Sequence, residues 1–269
     1  MNLFEYQNLG ECFNELRCDI SMEEFFSLAE KENFSSEQVD SINIQFKYLK
    51  EKKIVSTINT ILKMSRLPIK NPKTFDNFDF TRIKGRDVEK LKNLRALTAI
   101  QAHKNLAFIG PAGTGKTHLA QAYGYECCKN ALKTYFIKMT ELRDRFTTAR
   151  KLGRVASVLN GLVRPSCLII DEVGHCEFDR ENTRLFFDLI DRRYQREGCS
   201  NIIFTSNKNP SEWREDFQED NSLLCAMDRI FDDATVFSIR GESFRGKKTE
   251  HYVLETSQVK SPELNKTNI

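Results

Sequence analysis

From Leu3 to about Leu67 apolar side chains return at helical intervals with polar residues between them, so the chain opens with helices. Phe4, Phe13, Leu16 and Ile20 mark the first. Ser21, followed three residues later by Glu24 and then Phe25, Phe26 and Leu28, has the form of a capping box and starts a second. Ser35 or Ser36 starts a third, running through Val39, Ile42, Ile44 and Phe46. Pro68 and Pro72 then break the pattern. We therefore expect a helical domain over 1–70, a second domain over 71–250, and a loose polar tail over 251–269.

In the second domain the rhythm alternates. Phe75, Phe78 and Phe80 come first, and they either pack under a sheet or line an adenine pocket. Val88, Leu91, Leu94, Leu97 and Ile100 predict one amphipathic helix between Asp87 and His103. Short apolar runs at Leu106–Ile109, Thr134–Lys138, Cys167–Ile170, Asn201–Asn207 and Ala234–Ile239 read as buried strands. Helical stretches separate them, among them one with Leu119, Ala120, Tyr123 and Cys127 and another from Asp179 to Glu197. Strands alternating with helices predict an α/β fold with a parallel five-stranded sheet flanked by helices.

Two strand ends carry chemistry. After Ile109 the chain reads Gly110-Pro111-Ala112-Gly113-Thr114-Gly115-Lys116-Thr117-His118, which contains the G-x-x-x-x-G-K-T of a phosphate-binding P-loop between a strand and a helix. Glycines let successive N–H groups converge on phosphate oxygens, and the helix that follows presents its positive end to the same anion. Lys116 is expected to reach the β- and γ-phosphates of ATP, and the Thr117 hydroxyl to ligate Mg²⁺. The second end is Asp171-Glu172, closing the run Cys167-Leu-Ile-Ile. Asp171 is expected to hold Mg²⁺ through water and Glu172 to act as general base on the attacking water. Two carboxylates at the end of a buried strand are costly without a cation nearby. Asn207, at the next strand end, either helps to orient that water or is a turn residue.

Composition changes this picture little. The formal net charge is +3, but residues 1–40 carry ten acids against two bases, and 41–70 seven bases against one acid. Lys47, Lys50, Lys52, Lys53, Lys63 and Arg66 make a basic helical face, and Arg143, Arg145, Arg150, Lys151 and Arg154 a second one. Each is either a solvated surface or a contact for the phosphates of double-stranded DNA. The eight cysteines follow no disulfide or zinc spacing and read as small core residues of a reducing cytoplasm. The amino end has no secretory pattern and no apolar run is long enough for a membrane, so we expect a cytoplasmic protein with no membrane partner.

Taken together, Asn105 to Ala120, Leu168-Ile-Ile-Asp-Glu-Val-Gly-His, Thr205-Ser-Asn and Arg240-Gly-Glu-Ser-Phe-Arg245 resemble the IstB-like helper ATPases of IS21-type insertion sequences, relatives of the DnaC helicase loaders. The resemblance spans roughly residues 58–248. It implies an AAA+ P-loop NTPase core without a full C-terminal lid, ATP-dependent homo-oligomerisation on DNA, and control of a transposase. It also implies Asn207 as sensor 1, Arg229 as a finger reaching a neighbouring subunit, and Arg245 or Arg240 as sensor 2. For Arg229 the alternative is a local ion pair with Asp232 or Asp233. A helicase loader is the alternative function within the same class. A P-loop small-molecule kinase is the alternative from another class, although kinases usually lack a Glu directly after the strand-end Asp.

Overall fold

The computed structural model describes residues 3–218, 220–241 and 243. Helices α1 (Leu3–Leu16), α2 (Met22–Lys31) and α3 (Ser36–Met64) come first. Reciprocal caps start the second and third: Ser21 Oγ accepts the Glu24 N–H at 3.1 Å while Glu24 Oε2 accepts the Ser21 N–H at 2.7 Å, and Ser35 and Gln38 repeat the exchange. Leu9, Phe13, Phe25 and Val39 form a small core between these helices, with the Phe13 ring edge-on to Phe25 and Phe46. The 29 residues of α3 extend about 43 Å. Its far end enters a different core, where Ile61, and Leu67 just beyond the helix, pack among Leu119, Tyr123 and Cys127. Ser65 O there accepts the N–H of Phe136 at 2.8 Å.

The expected helix from Asp87 to His103 is broken. Helix α4 (Val88–Lys92) passes into a 3-10 turn at Asn93–Ala96, Leu97 turns left-handed at φ 56°, and α5 (Thr98–Gln101) follows. The spacing explains the difference. Leu91, Leu94, Leu97 and Ile100 recur every third residue, a period that a 3-10 turn keeps on one side and an α-helix rotates away, and all four are buried.

The remaining elements alternate: β1 (Asn105–Ile109), α6 (Lys116–Lys129), β2 (Thr134–Lys138), α7 (Met139–Lys151), α8 (Val155–Val163), β3 (Cys167–Val173), α9 (Arg180–Tyr194), β4 (Asn201–Ser206), α10 (Asp220–Phe231) and β5 (Ala234–Ser238). The five strands form one sheet in the order β2-β3-β4-β1-β5, and every pairing is parallel. Alternate residues of β1 and β3 feed two separate cores: Ala107, Ile109, Leu168 and Ile170 on one face, Leu106, Phe108, Cys167 and Ile169 on the other. The stretch expected as a single basic helix through Arg154 is two helices, because Gly153 turns left-handed at φ 64° between α7 and α8. In such a sheet ligands bind beyond the carboxyl ends of the strands, where Gly110, Asp171, Glu172 and Asn207 lie.

Candidate nucleotide-binding site

Residues 110–115 leave β1 and turn into α6, and their backbone needs glycine. Gly115 caps the helix at φ 89°, and a Cβ there would lie 2.7 Å from Phe78 Cε2. Gly110 sits under the chain leaving β5, where a Cβ would come within 2.0 Å of Ile239 O. Thr114, 1% exposed, donates to Pro111 O at 2.9 Å and tightens the turn. Lys116 is buried to 7% exposure, and its Nζ donates to the carbonyl oxygens of Gly110 at 2.8 Å and Pro111 at 2.7 Å. A cation held inside the loop's own ring is placed to meet phosphate oxygens by a short swing of one flexible side chain.

The two strand-end carboxylates differ in surroundings. Asp171 is 1% exposed, and burial raises its pKa against the pull of two hydroxyl donors. These are Thr117 Oγ1 at 2.8 Å and Thr205 Oγ1 at 2.6 Å, both on Oδ1. A buried carboxylate beside a P-loop hydroxyl is an oxygen donor set for a hard divalent cation, so Thr117 and Asp171 fit Mg²⁺. Glu172 instead reaches the surface and pairs with Lys138 Nζ at 2.9 Å. Its backbone is left-handed, φ 61°, and its N–H donates to Thr205 Oγ1 at 3.0 Å.

A cavity of about 430 Å³ opens between the P-loop and the end of β3. Ala112, Gly113, Gly115, Lys116, Thr117 and His118 line one side of it, and Glu172, Thr205 and Asn207 another. Asn207 Nδ2 lies 3.4 Å from His175 Nε2. His118 faces the cavity and is also held from behind: its Nε2 donates to Thr74 O at 2.9 Å and its ring meets Phe78 edge-on at 5.1 Å. Burial lowers its pKa. Phe75 and Phe78 are packed in the core under the sheet rather than open to an adenine pocket.

Arg229 lies at the opposite end of the strands from Lys116, beside a cavity of about 210 Å³ lined by Asn105 and Ile202 at the starts of β1 and β4. It pairs with Asp191 at 3.0 Å, donates to Cys225 O at 3.2 Å, and its guanidinium sits 5.1 Å from the centre of the Phe187 ring. Asp232 and Asp233, the local partners expected from sequence, bind Tyr194 and Lys104 instead. Arg240 is exposed, and Arg245 lies outside the described residues, as does the tail over 251–269.

Residues 20–251 match the family described as IstB-like ATP-binding protein. The chain belongs to that family. It is 36% identical over 189 residues to a Geobacillus stearothermophilus protein named for ATP binding in insertion sequence IS5376, covering 70% of this chain and 73% of that one. The Pseudomonas aeruginosa counterpart in IS21 is 35% identical over 187 residues, covering 70% of this chain and 69% of its own. Among solved structures, the DnaC helicase loader superposes with a TM-score of 0.51 at 19% identity, over 62% of this chain and 97% of that one. AMPPCP-bound DnaA from Aquifex aeolicus gives 0.52 at 21%, over 64% of this chain and 51% of that one. These likenesses establish the AAA+ P-loop fold for this family member.

Two contributors escaped the sequence reading. Thr205 stands inside a recognisable strand end that by itself suggests no task for it. Lys138 ends β2, and only the register that aligns it with Asp171 brings it to Glu172. The basic faces are also more occupied than the sequence suggests. Lys50 pairs with Glu15, Lys53 donates to Glu15 O and Leu16 O at the end of α1, Arg66 binds Glu141, and Arg150 binds the α9 cap Asp179. Among the described residues no helix is long and apolar enough to cross a membrane.

Proposed function

We propose that this protein is an ATP hydrolase of an insertion sequence, which assembles with ATP on double-stranded DNA and through that assembly controls a transposase. The observation that carries the reading is the meeting of Lys116, Thr117 and Glu172 at one cavity, with Asp171 hydrogen-bonded to Thr117, in a member of this family. Lys116 binds the β- and γ-phosphates, and the N–H groups of 110–115 cradle them. Thr117 and Asp171 would hold Mg²⁺, which would supply charge neutralisation to the phosphates. Glu172 takes the proton from the attacking water once its carboxylate is free of Lys138, and Asn207 orients that water. His118 and Phe78 hold the start of α6 against the segment that precedes the sheet. Arg229 completes the site of a neighbouring subunit, and Arg240 or Arg245 contacts the bound nucleotide as sensor 2.

The test is steady-state ATP hydrolysis with and without duplex DNA, combined with capture of partners on the ATP-bound protein. Hydrolysis that rises on duplex DNA, with capture of the element's transposase, supports the reading. Capture of a replicative helicase instead would assign it to the loaders, and phosphate transfer to a small molecule without any DNA response would assign it to the kinases.

A further inference from the structure

The parallel ladder between β3 and β4 has a fault at the chemically important place. Ile170 pairs with Phe204 and Val173 with Ser206, so Asp171 and Glu172 together face the single residue Thr205. One extra residue on β3 makes a bulge, which leaves a backbone N–H without its ladder partner and twists the strand. Here Glu172 takes up the extra length in a left-handed conformation, φ 61°, that non-glycine residues adopt rarely. The Thr205 side chain fills the gap: its hydroxyl accepts the Glu172 N–H at 3.0 Å and donates to Asp171 Oδ1 at 2.6 Å. Thr205 borders the cavity but is only 1% exposed, which limits competition from water for these bonds.

We propose that Thr205 is a positioning residue for hydrolysis, its one hydroxyl fixing both the carboxylate assigned to Mg²⁺ and the backbone that aims the general base. This rests on the hydrolysis reading above and adds to it the element that holds the two acids in register. The hydroxyl donates once and accepts once here, and both bonds go to the two strand-end residues. Valine, the isosteric replacement, keeps the shape but supplies neither bond: the Glu172 N–H loses its acceptor, and Asp171 Oδ1 is left with Thr117 as its one hydroxyl donor. The Glu172 carboxylate then loses its fixed direction. A displacement of about 1 Å at a reacting group costs on the order of 10²-fold in rate.

The experiment compares Thr205→Val and Thr205→Ser with the wild-type chain on three readouts. These are kcat and KM for ATP on duplex DNA, binding of fluorescent ADP in EDTA and in Mg²⁺, and hydrogen exchange at the Glu172 amide. For Thr205→Val we expect kcat to fall about 10²-fold, ADP binding in EDTA to stay within about twofold, the gain from Mg²⁺ to shrink, and the Glu172 amide to exchange faster. Thr205→Ser, which restores the hydroxyl, should recover most of each loss. Wild-type kcat and amide protection in Thr205→Val would overturn the proposal, as would Thr205→Ser failing equally, since the methyl packing would then be what matters. Loss of ADP binding in EDTA in step with the melting temperature would also overturn it, leaving a purely structural residue. If Thr205→Val does not fold, Thr205→Ala is read by the same criteria. Should the wild-type chain prove unable to hydrolyse ATP, the hydrolysis reading fails, while the Mg²⁺-dependent binding and the amide exchange still decide for or against Thr205.

Discussion

To act on a neighbouring subunit, Arg229 must leave partners that it holds in the isolated protomer. Its pair with Asp191 spans 3.0 Å between side chains 31% and 25% exposed, and its guanidinium lies 5.1 Å from the Phe187 ring centre. A partly solvated pair of this kind contributes up to about 1 kcal/mol, and a cation over a ring roughly 0.5–1 kcal/mol. Release therefore costs about 0.5–2 kcal/mol. An arginine supplied in trans to a phosphoryl transition state accelerates hydrolysis about 10³-fold or more, which corresponds to about 4 kcal/mol. On the proposed role, the gain would exceed the cost of leaving these contacts. Arg229→Ala should keep ADP affinity, because its own nucleotide cavity is at the other end of the strands, and should lose DNA-stimulated hydrolysis by about 10³-fold. Lys116→Ala should lose nucleotide binding and keep its finger. Mixing the two inactive proteins, with co-assembly verified by crosslinking, should restore activity at interfaces where an intact pocket meets an intact arginine. Normal hydrolysis by Arg229→Ala alone, or silence from a mixture that demonstrably co-assembles, would refute the role.

Gly115→Ala should reduce ADP affinity and lower the melting temperature together, because a Cβ would lie 2.7 Å from Phe78 Cε2 at a backbone φ of 89°; unchanged affinity would mean that the loop tolerates the shift. Lys138→Ala should raise DNA-independent hydrolysis severalfold by freeing Glu172 from the 2.9 Å pair, with little change in melting temperature, since exposed pairs add little stability. Replacing Lys47, Lys52 and Lys63 together should flatten the salt dependence of DNA binding, by about 0.9 in log–log slope for each phosphate that is no longer neutralised; Lys50 and Lys53 are left alone because they secure α1. His118 gives a pH prediction. Burial lowers its folded pKa below the usual 6.5, so the unfolded chain binds its proton first as pH falls. Its contribution is therefore fully present above about pH 6.5 and is lost as pH drops through the lower folded value. The melting temperature should decline across that range in the wild-type chain and less so in His118→Gln.

The parts of the site made by local chain geometry can be read directly from the residues. A glycine-rich turn between a strand and a helix, and an acid pair ending an apolar run, carry their meaning within a dozen positions, and both strands and both caps lie where those patterns put them. What escapes depends on register between distant segments. Thr205 reaches the acids only because β3 bulges against β4, and Lys138 only because β2 pairs in parallel beside β3. The broken helix around Leu97 misleads for a different reason: a strict three-residue repeat passes for helical periodicity, although it fits a 3-10 turn better than an α-helix. Charge is the least legible feature. A lysine count cannot separate Lys53, which closes the end of α1, from lysines on the same helix that face solvent.

Whether this cavity hydrolyses ATP by means of Glu172 is decided by phosphate release from wild-type and Glu172→Gln protein at saturating ATP on duplex DNA, with ATP affinity measured in parallel. The substitution preserves size and removes the base, and general-base catalysis is worth about 10²–10⁴-fold. We expect a loss in that range with ATP affinity nearly unchanged, and ATP-bound assemblies that persist on DNA. Wild-type turnover by Glu172→Gln would be the contrary result, because the residue near the end of β3 would then not be the base.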